Sequence, residues 1–431
     1  MDSNSQPSPE SRAALMRDMV KKYTSDFAVR AAGSDGVDMD GKPTSTRDVV
    51  LVTGTTGSIG SLLLAELVHD PSVSRVYAVN RPHQDGSSML ADRQKKALLG
   101  KGLDVENILS SNKVRLIEAD ISLSGWAVPE NVYTELRRSV THILHNAWPG
   151  DLSLPLEAFE PCISGLKNLI DFALSSSTTS PPPIVFVSTT GVFQNIKYVE
   201  TTSLTESPIA PEVSAGNGYT ESKWIAEEVL RVASSQTTLN SVIVRVGQVC
   251  GGGPNGYWNT AEWFPAIVQS GPVLGCIATD DRNSSLIPLH ITARSLVDYL
   301  AVGDSATNSC TTVHLVHPNP IPFSALATTI AEHLSVELVP FSEWLKNLEA
   351  HATEEQTNSK ESIAAEKMLF VYHYLTSKFN DGADAFGFHR FECNEGTRLS
   401  KTLASAPQLG RDNVIAWLSY WKSVGFIKDV N

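Results

Sequence analysis

The sequence predicts an α/β protein built around a parallel sheet. Six apolar runs that fit buried strands are spaced through residues 49–246, and segments with helical periodicity separate them. A glycine-rich turn at residues 54–60 joins the first strand to the first of these helices. The alternation breaks down beyond about residue 255. We therefore expect a Rossmann-type, doubly wound parallel sheet followed by a smaller, mostly helical C-terminal domain.

The composition excludes several classes of protein. The 431 residues are 42% hydrophobic and carry a net charge of −13 without a basic run, which argues against nucleic-acid binding. The five cysteines form no CxxC pair, so neither a disulfide framework nor a metal site is expected. The N-terminus is polar, and no run approaches the roughly 18 apolar residues of a membrane span. We expect a soluble cytoplasmic protein without membrane contact.

The region before the first strand predicts a helix and a linker. Residues 11–27 have helical spacing, and residues 32–46 are rich in Gly, Asp and Ser. Such a start is typical of a domain excised from a longer chain, which we expect to be monomeric. The predicted division is an N-terminal helix and linker (1–47), a nucleotide-binding domain (48–255, with a return segment at about 285–318) and a substrate domain (256–431).

The first strand and its glycine turn predict a dinucleotide site. The apolar run Val49–Val52 precedes three glycines at GxxGxxG spacing, and the helical pattern Leu62–Val68 follows. The first glycine permits a tight turn, the second lets the backbone approach a pyrophosphate, and the third lets the helix pack closely on the strand. The helix N-terminus attracts phosphate. An ordinary turn is the alternative. The candidate ligands are Gly54, Thr56, Gly57, Ser58, Ile59 and Gly60.

The ends of the second and third strands bear on the choice of cofactor. The strand at 75–79 leads to Arg81, and no acidic residue lies between Ala78 and Pro82. An acidic residue there binds the ribose of NAD, whereas a basic one accommodates a 2′-phosphate. Arg81 therefore favours NADPH, and Arg93 could reach the same phosphate or be a solvated helix charge. Asp120 and Ile121 end the third strand, on the adenine side, although Asp120 could be a plain turn residue.

The fourth, fifth and sixth strands end in small or hydroxyl residues. Asn146 and the small Ala147 end the fourth strand, where the cofactor could approach the backbone. Thr189 lies in a hydroxyl cluster that ends the fifth strand. Ligands bind at the carboxyl edge of such sheets, so these hydroxyls are candidate site residues, although Ser and Thr at strand ends are also common turn formers. Gly247 and Val249 follow the sixth strand, 241–246, in a turn expected beside the nicotinamide.

Tyr219 and Lys223 are four residues apart on a predicted helix, so they share one face. Asn217 is the expected N-cap. Alone, such a pair is unremarkable, but after a fifth strand with terminal hydroxyls it indicates catalysis. A tyrosine can donate a proton, and a nearby lysine ammonium should lower the pKa of the phenol.

The C-terminal third contains no catalytic motif. Trp258, Trp263 and Phe264 could lie over the site or simply pack in a core. A short strand is predicted at 286–291, a helix at 292–303 and a strand at 312–316. Further helices are predicted at 323–351, 359–379 and 413–423.

These motifs carry a family resemblance. TGTTGSIG, VSTTGVF, YTESK and RVGQVCGG resemble an extended short-chain dehydrogenase/reductase. HNAWPGDLSLPLEAFEPCISGLKNLIDFAL and IPLHITARSLVDYL resemble the thioester reductase domains that end nonribosomal peptide synthetases, polyketide synthases and carboxylic acid reductases, with fungal adenylate-forming reductases the most similar. The likeness covers Val49 to about Leu300 and says nothing of the acyl group.

The resemblance implies a function and roles for single residues. Thr189 takes the place of the catalytic Ser/Thr, Tyr219 that of the tyrosine and Lys223 that of the lysine. Thr replaces the commoner Ser, and Val246 stands where many relatives have Pro. The implied activity is NADPH-dependent release, as an aldehyde, of an acyl thioester held on the phosphopantetheine arm of an upstream carrier domain. A stand-alone reductase of free aldehydes or ketones is the alternative, and a non-catalytic NADP sensor is disfavoured by the intact Tyr-x-x-x-Lys.

Overall fold

The structure is a computed structural model. It describes residues 8–28, 48–83, 86, 88–198, 204–302, 309–358, 363–377 and 383–428. The linker predicted at 32–46 lies outside these residues. In the described part of the chain, no helix has both the length and the apolar character needed to cross a membrane.

The strands that the structure describes are β1 (Asp48–Thr53), β2 (Val73–Asn80), β3 (Val114–Glu118), β4 (His142–His145), β5 (Ile184–Thr189), β6 (Ser241–Val246), β7 (Val249–Cys250), β8 (Cys276–Thr279), β9 (Asn283–Ser284), β10 (Ile287–Pro288), β11 (Cys310–Leu315), β12 (Ile321–Pro322) and β13 (Glu337–Pro340). The described α-helices are α1 (Pro9–Tyr23), α2 (Ser58–His69), α3 (Leu90–Leu99), α4 (Val105–Leu109), α5 (Glu130–Ser139), α6 (Glu160–Leu174), α7 (Pro211–Ser214), α8 (Gly218–Gln236), α9 (Trp263–Leu274), α10 (Leu289–Asp298), α11 (Phe323–Leu334), α12 (Phe341–Asn358), α13 (Leu369–Ser377), α14 (Asn394–Leu399), α15 (Lys401–Ala404) and α16 (Arg411–Ser423).

Seven strands form one sheet in the order β11-β6-β5-β4-β1-β2-β3, and every neighbouring pair is parallel. The predicted Rossmann-type sheet is confirmed. The chain order reverses between β1 and β4, so the connections leave these two strands on opposite faces and open a crevice at their carboxyl ends. This crevice is where a ligand is expected.

The sheet is buried on both faces. Along β1, Leu51 belongs to one apolar core with α1, α6 and α8, whereas Val50 and Val52 belong to a second core with α2 and α10. This is the period of two that a strand imposes on its side chains. Because both faces are covered, the strands read as continuous apolar runs, which is why the sequence shows them clearly.

The C-terminal third has its own core, rich in aromatic residues, and departs from the sequence prediction at one point. The helix expected over 323–351 is two helices. Ser335 adopts the left-handed conformation with φ +54° and ends α11, and β13 then pairs with β8 before α12 begins. Apolar periodicity alone could not reveal this break. Within the predicted helix 359–379, α13 covers Leu369–Ser377, and residues 359–362 and 378–379 lie outside the described part.

The predicted N-terminal helix is confirmed as α1, which packs against α8. Its Arg12 forms an ion pair with Glu221, a fully buried carboxylate on α8, and the Arg12 Nε lies 2.9 Å from Glu221 Oε1. Glu221 Oε1 also accepts the backbone N–H of Gly216 at 2.9 Å. The N-terminal helix therefore holds the first turns of α8.

Candidate active site

The glycine turn has the close backbone contacts that its spacing predicts. Gly54 has φ +75°, a conformation that costs other residues energy. A Cβ on Gly60 would lie 2.0 Å from the Gly54 carbonyl oxygen, so only glycine lets α2 pack this closely on the strand. A Cβ on Gly57 would meet only that same oxygen, at 3.4 Å. The fold therefore requires glycine at 54 and 60, whereas Gly57, the N-cap of α2, has room for a Cβ.

Side chains from neighbouring segments hold this turn. Asn80, the last residue of β2, accepts the Thr56 backbone N–H at 3.3 Å and donates to the Thr55 hydroxyl at 2.8 Å. Ser58, at the start of α2, lies 3.1 Å from the Tyr257 hydroxyl, and Ile59 packs into the core beside it. The sequence analysis missed Asn80. Its signal was a polar side chain at the end of an otherwise apolar strand.

At the end of β4, one hydroxyl organises the backbone. Thr53 Oγ1 accepts the N–H groups of Asn146 and Ala147 at 3.1 and 3.0 Å, and it lies 2.8 Å from His145 Nδ1. Because Thr53 accepts two bonds, its own hydrogen goes to His145 Nδ1, which fixes the imidazole hydrogen on Nε2. A Cβ on Gly54 would lie 2.9 Å from Ala147 Cα, so two small residues meet here. His145 is a further residue that the sequence analysis missed.

Arg81 and Arg93, the two arginines that could reach a 2′-phosphate, are in contact. Arg81 is exposed at the end of β2, and Arg93 donates from Nη2 to the Arg81 carbonyl oxygen at 2.9 Å. The same nitrogen contacts the Glu118 carboxylate at 3.0 Å, so the charge of Arg93 is paired.

The candidates of the third strand form a turn. Asp120 accepts the Ser122 backbone N–H at 3.0 Å and its hydroxyl at 2.6 Å, which fits the alternative of a turn residue. Ile121 lies against Gly165, where a Cβ would be 2.9 Å from Ile121 Cγ1. Asp120 and Ile121 thus shape the edge of the sheet next to β3.

Thr189 and Tyr219 meet at the carboxyl edge of the sheet. Asn217 is the N-cap of α8, as predicted, with its side chain accepting the Thr220 N–H at 3.0 Å. A Cβ on Gly218 would lie 2.5 Å from the Leu154 carbonyl oxygen, so the start of α8 is pinned in place. Tyr219 lies near enough to Thr189 for that residue to act on the pKa of its phenol, and Thr189 Oγ1 accepts the Gly191 N–H at 3.0 Å.

Lys223 lies one helical turn further along α8, in an aromatic pocket. Its Nζ donates to the Val187 carbonyl oxygen at 2.6 Å and lies 4.5 Å from the Trp148 ring centre and 4.7 Å from that of Phe186. Burial lowers the pKa of Lys223 from 10.5 to about 7.

One electrostatic prediction is wrong. We expected the Lys223 ammonium to lower the pKa of Tyr219, but burial raises that pKa, and the largest opposing effect is the hydrogen bond from Thr189. The Lys223 ammonium donates instead to a backbone carbonyl oxygen of β5. Burial disfavours the charged form of both side chains, so it raises the pKa of Tyr219 and lowers that of Lys223. Sequence spacing places the two side chains on one face but does not show how dry that face is.

The last two candidates, Gly247 and Val249, follow β6, which pairs with β5 on the side away from β4. The Gly247 N–H donates to the Leu315 carbonyl oxygen at 3.0 Å, and a Cβ there would lie 2.8 Å from Val316 Cγ1. Val249 belongs to β7, which pairs with β10. Gly247 lines a small cavity together with Thr190 and residues of the C-terminal third. The site is thus bounded by the sheet edge on one side and by aromatic residues on the other.

Residues 52–296 match the model of a family of NAD-binding domains described as "Male sterility protein". The chain belongs to this family. The matched residues include every candidate site residue from Gly54 to Val249. The family supports a nicotinamide dinucleotide as the ligand of the glycine turn.

The sequence similarity to individual proteins extends beyond residues 52–296. The adenylate-forming reductase Nps10 of Heterobasidion annosum is 39% identical over 425 residues, which cover 96% of this chain and 37% of that protein. A non-reducing polyketide synthase of Aspergillus terreus is 28% identical over 447 residues, which cover 97% of this chain and 16% of that protein. The chain therefore spans little more than a third of the adenylate-forming reductase and about a sixth of the polyketide synthase.

The fold is similar to that of solved reductase domains. The terminal R domain from the myxalamid PKS-NRPS biosynthetic pathway superposes with a TM-score of 0.74 at 20% identity, over 97% of this chain and all of that one. The reductase (R) domain of a nonribosomal peptide synthetase from Mycobacterium tuberculosis gives a TM-score of 0.68 at 18% identity, covering 96% and 99% of the two chains. At these identities the similarity concerns the fold.

Proposed function

We propose that this protein is an NADPH-dependent reductase that releases a carrier-bound acyl thioester as an aldehyde. The observation that carries the proposal is that Thr189, Tyr219 and Lys223 lie together at the carboxyl edge of the same sheet as the glycine turn, with β4 between them and β1. This is the donor set that carbonyl reduction needs, because negative charge develops on the carbonyl oxygen. The similarity to an adenylate-forming reductase and to polyketide synthases supports a thioester as the substrate.

The glycine turn fits the pyrophosphate of the cofactor. No neighbouring atom of the protein excludes a Cβ at Gly57, and the N-terminus of α2 presents backbone N–H groups beside it. When bound, NADPH supplies the hydride. Thr56, Ser58, Asn146 and Gly247 are the further residues that we expect to line its path along the sheet edge.

The choice of NADPH over NADH rests on the end of β2. Asn80 is neutral and bonds the glycine turn, and Arg81 is exposed next to it. Glu118 is the carboxylate beside Asn80 on β3, and Arg93 neutralises it. Because the Arg93–Glu118 pair is neutral as a whole, the net positive charge that a 2′-phosphate would meet comes from Arg81.

Tyr219 is proposed as the proton donor. Because burial raises the pKa of Tyr219, its phenol stays protonated at neutral pH and can give its hydrogen to the carbonyl oxygen. Thr189 offers the second hydroxyl at the same point. Lys223 lies one turn away, with its Nζ 5.9 Å from the Tyr219 ring centre, and is proposed to hold the nicotinamide ribose as an ammonium.

For a thioester, these steps produce a hemithioacetal. Its C–S bond then breaks, which yields the aldehyde and frees the thiol of the phosphopantetheine arm. The carbonyl carbon gains two electrons in this reaction. We propose release at the aldehyde stage.

An assay that offers two substrates in parallel tests this function. The protein is given NADPH with either an acyl thioester on a phosphopantetheine-loaded carrier or the corresponding free aldehyde. We expect NADPH oxidation with the thioester and formation of the aldehyde. Oxidation with the free aldehyde alone would instead identify a stand-alone carbonyl reductase using the same residues.

A further inference from the structure

Lys223 is a buried cation, with only 3% of its surface exposed. In the part of the chain that the structure describes, no carboxylate forms an ion pair with its ammonium. The nearest on the same helix face, Glu227, lies one turn further along α8 and pairs with Arg245 at 2.7 Å and with Arg231 at 3.4 Å. Burying a charge without a partner is costly, so another group must stabilise this ammonium.

Two aromatic rings and one backbone carbonyl surround the ammonium. Lys223 Nζ lies 4.5 Å from the Trp148 ring centre and 4.7 Å from that of Phe186, and it donates to the Val187 carbonyl oxygen at 2.6 Å. A ring face attracts a cation within about 6 Å, and tryptophan does so most strongly among the aromatic side chains. The attraction is larger where water is excluded. The two rings therefore do for Lys223 what a carboxylate does in an ordinary buried ion pair.

The Trp148 ring is itself fixed relative to the helix that carries the lysine. Its Nε1 donates to the hydroxyl of Ser222, the residue before Lys223 on α8, at 3.1 Å. Its ring also meets the Phe186 ring edge to face, with centres 5.5 Å apart at an interplanar angle of 70°. Trp148 follows β4, Phe186 lies on β5 and Lys223 on α8, so three separate elements converge on one ammonium.

The other titratable groups near Lys223 keep one charge state around neutral pH. Burial raises the pKa of Tyr219 on α8 and of Cys162 on α6, so both stay neutral. Burial and the charge of Lys223 lower the pKa of His145 on β4 to about 3. Burial alone would raise the pKa of Glu227, but its two arginine partners lower it, and these arginines stay charged. A change in the pKa of Lys223 can therefore be measured without interference from a neighbouring titration.

We propose that Trp148 is a positioning residue whose ring face, together with that of Phe186, keeps Lys223 in its ammonium form. The contact of this ammonium with the nicotinamide ribose rests on the proposed function, whereas its charge is a property of the protein alone. The inference gives a role to a tryptophan that no sequence motif singles out.

The pKa of Lys223 can be measured directly in the cofactor-free protein. Lysine labelled with ¹³C at Cε is titrated by NMR, and Lys223→Arg assigns the signal. In Trp148→Leu an apolar side chain still covers the ammonium, but its ring face is lost. We expect the pKa of Lys223 to be about one pH unit lower than in the unaltered protein, or roughly a tenfold change in its ionisation constant. Trp148→Phe restores a ring and should return most of this difference.

Lys101 provides a matched control within the same protein. Its Nζ also donates to one backbone carbonyl and lies 4.5 Å from the Tyr257 ring centre, and burial lowers its pKa to about 8. Tyr257→Leu should lower the pKa of Lys101 and leave that of Lys223 unchanged, and Trp148→Leu should do the reverse. The unchanged lysine shows in each variant that the fold is intact. If Trp148→Leu fails to fold, Trp148→Met also removes the ring and is read in the same way.

NADPH affinity, measured by fluorescence titration at two pH values, tests the link to the proposed function. If only the ammonium form binds, the affinity should fall roughly tenfold from pH 6 to pH 8 in the unaltered protein and about 50-fold in Trp148→Leu.

The outcomes separate this inference from the proposed function. A pKa of Lys223 that is equal in Trp148→Leu and Trp148→Phe, or that rises in Trp148→Leu, would overturn the role of the ring. A lowered pKa in Trp148→Leu supports that role whether or not NADPH binds. If the pKa falls while NADPH affinity is the same at both pH values, the ring stabilises the charge as proposed, and the contact of Lys223 with the ribose is wrong.

Discussion

The stretches proposed to bind the cofactor and the cavity beside Thr190 are built in different ways. The proposed cofactor residues come in short stretches that each contribute several neighbouring residues, such as Gly54–Gly60 and Tyr219–Lys223. The cavity is lined by several segments that are remote in the sequence, including those of Thr190, Trp263 and Phe386. The comparison teaches that strand ends and helix turns place the first group locally, whereas the second group depends on tertiary packing.

The largest effect is expected at the catalytic edge. Tyr219→Phe should lower kcat by 10²-fold or more, the usual scale for a positioned acid, because the ring remains and only the proton donor is lost. NADPH affinity, measured by fluorescence titration, should change little. Tyr133→Phe removes a phenol that packs against Trp126, away from the site, and serves as the control. Unchanged turnover in Tyr219→Phe would refute the catalytic assignment.

The next effect concerns the support of α8. Arg12→Ala leaves the buried carboxylate of Glu221 without its partner, so we expect a loss of about 3 kcal/mol in the free energy of unfolding, the scale for a broken buried pair. Arg17→Ala, on the same helix, breaks only an exposed pair with Glu212 and should cost at most about 1 kcal/mol. Urea unfolding measures both. Equal losses would mean that α1 does not brace the catalytic helix.

The glycine turn allows a sharper separation of fold from ligand. Gly60→Ala places a Cβ 2.0 Å from a backbone oxygen, so it should destabilise the fold itself. Gly57→Ala meets nothing closer than 3.4 Å and should keep the melting temperature within a few degrees. It should nevertheless weaken NADPH binding about tenfold, which is ~1.4 kcal/mol. Normal NADPH binding by Gly57→Ala would argue against a pyrophosphate at this turn.

The smallest effect is a pH dependence from Lys223. If its ammonium is the active form, a pKa of about 7 means that kcat/KM for NADPH falls roughly tenfold from pH 6 to pH 8. An arginine stays charged over this range, so the residual activity of Lys223→Arg should not fall between pH 6 and pH 8. A wild-type profile that is flat over this range would contradict the role of the ammonium.

The same shift has a consequence for stability. The native pKa lies below the unfolded value of 10.5, so between about pH 7 and 10.5 the unfolded chain binds more protons than the native one. The free energy of unfolding should therefore rise with pH in this window. In Lys223→Met this contribution should be absent.

Much of the fold and of the cofactor side could be predicted from the sequence. Strands buried on both faces give continuous apolar runs, and Asn217, Tyr219 and Lys223 are placed by helix geometry alone. Asn80 and His145 escaped because their roles depend on partners 25 and 92 residues away. The cavity beside Thr190 escaped because one of its lining residues, Phe386, is positioned by Asp280, more than a hundred residues earlier. Tertiary contacts of this kind leave no periodic pattern in the sequence.

The central claim is that hydride reaches the carbonyl carbon of a carrier-bound thioester at this site. The most direct measurement supplies NADPH deuterated at the transferred position with an acyl carrier thioester, and analyses the products by mass spectrometry. We expect one deuterium in the released aldehyde and one free carrier thiol per NADPH consumed. Release of the unlabelled free acid, or a thioester that stays intact while NADPH is present, would contradict the account.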